Sequence, residues 1–152
     1  MKKFHFSLQK LMDFREQELD RQKNTLSALQ AELKRINDGT EELRAKTAQA
    51  SAELEQVCAR GAQIGDIALR KRYIISLQQE IHRMELMARQ KQQEVNAQLD
   101  VVVEATKDVK TLEKLEEKQR AEYAHKAGKE NELFIEEFVS GQTVRAGQHA
   151  GV

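Results

Sequence analysis

Reactive chemistry in a sequence shows itself as clustered side chains, and the candidates here are scattered. The 4 histidines, His5, His82, His125 and His149, never fall at the three- or four-residue spacing that lets two side chains share a metal on one helical face. Cys58 is the only cysteine, so it cannot form an internal disulfide; this fits a reducing compartment, and a small filler near a bend is its simplest role. The paired carboxylates Glu41-Glu42 and Glu116-Glu117 are what a solvated helix carries. Gly61 and Gly65 lack the Lys and Ser or Thr that must follow in a phosphate-binding loop. One compact basic cluster remains, Arg70-Lys71-Arg72. With only Tyr73 as an interleaved aromatic it is thin for nucleic acid, and it reads either as solvated charge or as a protein contact. Basic groups at a helix N-terminus oppose the dipole, which favours the second of these. The residues imply no catalytic group, no metal, no cofactor and no small-molecule substrate, so the expectation is a protein that is not an enzyme.

The elements that carry these residues follow from composition. The 152 residues are 33% charged and 5% aromatic, with no tryptophan, which is poor material for a broad core. There is no proline, so nothing forces a helix to stop. The 25 basic and 25 acidic residues cancel, leaving no global field for a polyanion. The start, Met1-Lys2-Lys3-Phe4-His5-Phe6, is positive like a secretory signal, but Lys10, Asp13, Arg15 and Glu16 interrupt any apolar stretch. No window approaches the roughly 18 apolar residues needed to cross a bilayer. A soluble, cytoplasmic protein is expected.

Ser7 is placed to cap a first helix, with Phe4 and Phe6 upstream to fix the entry of the chain. A seven-residue repeat then runs without a phase change. One series reads Met12, Leu19, Leu26, Leu33, Thr40, Thr47 and Leu54; the other reads Leu8, Arg15, Gln22, Leu29, Ile36, Leu43, Ala50 and Val57. Such a repeat keeps one seam facing a partner helix. Asn37-Asp38-Gly39 carries turn chemistry, yet Ile36 and Leu43 stay in phase across it, so the helix is expected to continue through a weak point. After a bend at 60–66, capped by Asp66, a second pair of series begins: Ile74, Ile81, Ala88, Val95, Val102, Val109, and Leu77, Met84, Lys91, Gln98, Ala105, Leu112.

The expected fold is therefore all-α, a long antiparallel two-helix coiled-coil hairpin. Its helices cover about 8–59 and 66–139 of a single domain, 1–140, followed by a flexible tail over 141–152. Charge selects the register: Val57 with Ile74, Leu54 with Leu77, Leu29 with Val102, and Arg15 facing Glu116 while Leu8 covers Tyr123. A shift by one heptad would set Arg15 against Val109 and Leu29 against Val95, burying charge on apolar surface. Past Leu112 the repeat degrades. Leu133, Phe134, Ile135, Phe138 and Val139 then form an apolar patch that either packs on Phe4 and Phe6 or docks a partner.

Two stretches, Phe6-Ser7-Leu8-Gln9-Lys10-Leu11-Met12-Asp13-Phe14-Arg15-Glu16 and Leu112-Glu113-Lys114-Leu115-Glu116-Glu117-Lys118-Gln119-Arg120-Ala121-Glu122-Tyr123, resemble the flagellar export protein FliJ family. The resemblance covers nearly the whole chain. It implies a coiled coil like the central stalk of a rotary ATPase, part of the flagellar type III secretion apparatus and so of motility. Its implied partners are the hexameric flagellar export ATPase, the cytoplasmic domain of the export-gate membrane protein, and export chaperones. It also implies a cytoplasmic protein peripherally associated with the inner membrane at the flagellar base. By the stalk analogy the end carrying both termini enters the ATPase ring, which nominates Leu8, Leu11, Arg15, Glu116, Tyr123, Leu133 and Phe138 for that contact. The family's gate-binding aromatic and leucine match Tyr73 and Leu77, while Glu80 and Met84 depart from its pattern and the repeat places Leu77 in the seam. From other classes, a cytoplasmic coil using Arg70 to Arg72 on nucleic acid and a generic dimerising scaffold remain as alternatives.

Overall fold

A computed structural model describes residues 2–151. Two helices account for nearly all of them: α1, Gln9–Ala59, of 51 residues, and α2, Ile64–His149, of 86 residues. No strand occurs among the described residues. The helices pack against each other as the all-α antiparallel hairpin that the repeats call for. α1 runs unbroken through Asn37-Asp38-Gly39. The chain divides into two compact units, Glu18–Ala105 and Met1–Gln17 with Thr106–Val152.

In the Glu18–Ala105 unit the bend is tighter than the sequence suggested. Gly61 takes the left-handed conformation, φ 83°, which glycine adopts without a Cβ penalty. Its N–H donates to the Cys58 carbonyl at 3.2 Å, and Ala62 N–H donates to the Val57 carbonyl at 3.2 Å, the paired bonds that close a helix C-terminus. The Gln63 carbonyl then accepts from Asp66 and Ile67 at 3.1 and 3.2 Å, so α2 starts at Ile64. Asp66 does not cap the helix; it lies inside the first turn, where its charge suits the dipole.

The short bend fixes the register, and it is the one that charge argued against. Gln98 Nε2 donates to the carbonyl and to Oε1 of Gln22 at 3.0 and 2.7 Å. Lys91 Nζ lies 2.8 Å from Glu32 Oε2, Arg44 reaches Glu85 at 2.9 Å, and Arg70 reaches Glu53 at 3.9 Å. The Gln98–Gln22, Lys91–Glu32 and Arg70–Glu53 contacts require Leu29 opposite Val95, and the long Arg44 side chain spans the further distance to Glu85. In the expected register Lys91 would face Thr40, about 10 Å further along the axis. The seam itself is as the repeats placed it: Leu19, Leu77 and Val95 are buried. Thr40, 5% exposed, and Thr47 satisfy their hydroxyls on the carbonyls of Ile36 and Leu43, at 2.9 and 2.8 Å, which lets a polar residue occupy a seam position. Cys58, expected as a filler, is exposed.

In the other unit Phe6 is the most buried apolar residue, with Met12 and Val109 also in the core. The first turn of α1 closes through the backbone, Gln9 N–H to the Phe6 carbonyl at 3.1 Å, instead of through Ser7. α2 continues through Gly141 and Gly147 to His149, past the expected end at Val139. A flexible tail was the expectation over 141–152, but a single glycine weakens a helix by only about 1 kcal/mol and no proline stops it.

Candidate functional site

Two surfaces gather the residues singled out by the sequence, one in each unit. In the unit containing the termini, the segment before α1 lies on α2. The Phe4 ring stands 5.5 Å from that of Tyr123, tilted by 59°, and Arg120 Cζ lies 4.6 Å from the Phe4 centroid. Arg120 also donates to Glu116 Oε1 at 2.9 Å, and the Tyr123 hydroxyl donates to the Lys2 carbonyl. A groove of about 400 Å³ opens here, with Lys2, Lys3 and His5 on one side and Glu122, Tyr123 and Lys126 on the other.

This arrangement differs from the expected one at two points. Arg15 does not face Glu116; it is exposed, with Cζ 5.9 Å from the ring of its neighbour Phe14. Glu116 instead takes Arg120 from its own helix, one turn on. Tyr123 is covered by Phe4 and Lys2 where Leu8 was expected. Leu8 is half-buried, and Leu11 is 40% exposed.

Further along α2, Leu133, Phe134, Ile135, Phe138 and Val139 are all more than half exposed. Phe134 with Phe138, and Ile135 with Val139, are four residues apart and line one side of the helix, with Leu133 and Glu137 on the opposite side. Packing on Phe4 and Phe6 is not what they do, because Phe4 is engaged by Tyr123 and Arg120, and Phe6 is 3% exposed.

The second surface surrounds the start of α2 in the Glu18–Ala105 unit. Tyr73 is 53% exposed and borders a shallow groove with Lys46, Gln49 and Glu53 of α1. Leu77 is 8% exposed, so it supports the seam and presents no surface. The basic cluster is split: Lys71 and Arg72 face solvent, while Arg70 turns toward the seam. Its Nε is 3.5 Å from Asp66 Oδ1, yet that N–H is buried with no hydrogen-bond acceptor. Glu80 pairs with Arg83, which lowers the Glu80 carboxyl and raises the guanidinium from their ordinary values. Met84 reaches across to Gly39, where its terminal methyl takes the space a Cβ would fill.

Sequence reasoning missed the exposed apolar residues at the start of α2, Leu69 on the Tyr73 side and Ile64 and Ile75 on the other. Leu69 and Tyr73 lie four apart and outside both seam series, a signal that could have found them. It also missed the Arg120 stack on Phe4, which needs the fold of the chain before α1.

Two long helices with their apolar surplus on the outside of α2 define a coiled-coil hairpin whose chemistry is that of its surfaces. A family model described as Flagellar FliJ protein matches residues 4–148. The chain belongs to the FliJ family and is a component of the flagellar export apparatus. No curated protein and no solved structure matches it. Among the described residues no helix is long and apolar enough to cross a membrane.

Proposed function

We infer that this protein is the non-enzymatic stalk of the export apparatus. It binds the hexameric export ATPase, promotes its assembly and activity, and couples it to the export gate and to export chaperones. The carrying observation is the exposed apolar cluster from Leu133 to Val139, in which Phe134, Ile135, Phe138 and Val139 share one side of α2 and none is covered by another of the described residues. Exposed apolar patches of this kind mark interaction sites. The cluster of Phe4, Arg120 and Tyr123 supports the same end of the chain as the ATPase contact, with Leu8, Leu11, Arg15 and Glu116 around it. At the other surface Tyr73, with Leu69 one turn before it, is offered to the gate, and Leu77 holds the helix that presents it. This reading places the protein in the cytoplasm, held peripherally at the inner membrane through its partners.

The test is ATP hydrolysis by the purified ATPase with and without this protein, together with ring formation by sedimentation. Stimulated hydrolysis and ring assembly are expected. Leu133→Ser with Phe138→Ser should weaken binding tenfold or more by the usual weight of central apolar contacts, with helicity retained. Undiminished binding by that variant would remove the stripe from the interface, and no stimulation by the unaltered protein would remove the stalk reading.

A further inference from the structure

We propose that the two helices of the Glu18–Ala105 unit exchange between two registers one heptad apart, with Gly61 forming the turn in the observed state and Gly65 in a minor one. A slip of one heptad leaves every seam residue in the seam, because the repeats on both helices run without a phase change. The slip is therefore the smallest displacement that keeps the apolar surface covered.

The observed register is not the best match of the two series. It sets Arg70 opposite Leu54, with the Arg70 Nε left without an acceptor, and it sets Lys91 opposite Leu33. In the slipped register Leu54 meets Leu77, Val57 meets Ile74, Lys91 meets Thr40, and Glu85 comes level with Lys46 in place of Gly39. Against this, the slip gives up the two Gln98–Gln22 bonds, the Lys91–Glu32 pair and the seat of Met84 on Gly39, and, because both helices continue unbroken toward the termini, the seat of Phe4 and Lys2 on Arg120 and Tyr123 as well. Those losses make the slipped register the minor state.

The bend carries the means of exchange. Gly61 closes α1 with its positive φ. Four residues later Gly65 sits in the first turn of α2 with open space where its Cβ would be, so nothing in the observed packing calls for a glycine there. Moving the turn from Gly61 to Gly65 lengthens α1 by one helical turn and shortens α2 by one. That changes the facing residues by about two turns, and the in-phase position nearest to this is the one-heptad slip. The slip carries α2 along α1 by about 10 Å. It gives the hairpin two discrete arrangements, the kind of element through which binding at one place is felt at another. The exchange is a property of the chain and does not rest on the ATPase reading.

Equilibrium disulfide formation in the full chain tests it, with Cys58→Ser throughout. Leu29→Cys with Val95→Cys reports the observed register, and Leu29→Cys with Val102→Cys reports the slipped one. Leu29→Cys with Asn96→Cys, off the seam, is the control. In a glutathione buffer the first pair should be mostly oxidised, the second measurably so, and the control reduced. Gly61→Ala, which forces a side chain into the left-handed conformation, should raise the slipped-to-observed ratio by about five- to thirty-fold. Gly65→Ala should lower it by about five-fold, since alanine strengthens the first turn of α2. The exchange is refuted if the Val102 pair stays at the control level, or if neither glycine substitution moves the ratio while circular dichroism shows native helicity. Should Gly61→Ala unfold the bend, the Gly65→Ala arm decides alone.

Discussion

Gly39→Ala measures whether the glycine in a turn-like Asn-Asp-Gly stretch is a weakness of α1 or a seat for the opposing helix. A Cβ at position 39 would stand 2.8 Å from Met84 Cε. Ordinary carbon contacts begin near 3.5 Å, so the methyl must retreat by about 0.7 Å. It is the far end of a flexible chain, and moving it off its rotamer costs about 0.5–1.5 kcal/mol. Alanine gains about 1 kcal/mol over glycine inside a helix. The two nearly cancel, and Gly39→Ala alone should change stability by no more than about 0.5 kcal/mol. With Met84→Ala in place the obstruction is gone, and the same substitution should stabilise by the full ~1 kcal/mol. Urea denaturation of the four proteins, followed by far-ultraviolet circular dichroism, gives the cycle directly. A gain of about 1 kcal/mol from Gly39→Ala with Met84 present, and hence no coupling, would refute the close approach.

The surface proposed for the gate separates two residues that the family resemblance joins. Tyr73→Ala, at an exposed position, should leave stability within about 0.5 kcal/mol and weaken binding to the cytoplasmic domain of the gate. Leu77→Ala should cost about 2–4 kcal/mol, and its effect on binding should follow its loss of helix. Unchanged affinity of Tyr73→Ala in a titration would remove this face from the gate contact. The Glu32–Lys91 pair gives a pH signature. The Lys91 ammonium, through its hydrogen bond and charge, holds the Glu32 carboxyl below its ordinary value, so that contribution is present above about pH 4.3 and is lost as pH falls through the lowered value. Lys91 is raised by the hydrogen bonds it donates to Glu32 and Glu94, so its contribution is present below about pH 10.4 and is lost as pH rises through the raised value. The difference in Tm between the protein and Glu32→Gln should stay constant from about pH 6 to 9 and shrink in acid. A difference undiminished at about pH 2 would show that the pair does not titrate as described.

The seam was legible because spacing alone defines it: Leu19, Leu77, Val95 and Val109 fall in the repeats and are buried. The register was not, because two registers one heptad apart share every seam residue and periodicity cannot choose between them. Charge seemed to choose, through Arg15 and Glu116. Exposed charges are a poor guide, since such pairs are worth only about 0–1 kcal/mol and have other ways to be satisfied. Glu116 is satisfied by Arg120, and Arg15 by solvent beside Phe14. The decision lay in the bend, where closing α1 at Gly61 and starting α2 at Ile64 leaves four residues between the helices. Reading Asp66 as the cap made that bend too long. The site divides in the same way. Leu133 to Val139 stood out because they lie beyond the paired repeat, and Leu77 could be assigned to the seam from its heptad position. The stack of Phe4 on Tyr123 and Arg120 depends on how the chain before α1 returns onto α2, and no local pattern encodes that.

The exposed apolar residues also separate the two helices by task. A two-helix seam needs only about two apolar positions in seven. α1 keeps close to that rule, with Leu11 and Phe14 as its large exposed apolar side chains among the described residues. α2 breaks it in both units: Ile64, Leu69, Tyr73 and Ile75 in one, and Leu133, Phe134, Ile135 and Phe138 in the other. These side chains remain more than half exposed, so they add little burial to the fold, and each would contribute on the order of 1 kcal/mol or more once covered. The apolar surface left over after the seam is filled therefore lies chiefly on α2. Polar substitutions on the outer face of α1 beyond Arg15 should accordingly be tolerated in both folding and binding, whereas the same substitutions at Phe134 or Phe138 of α2 should weaken binding and leave helicity intact.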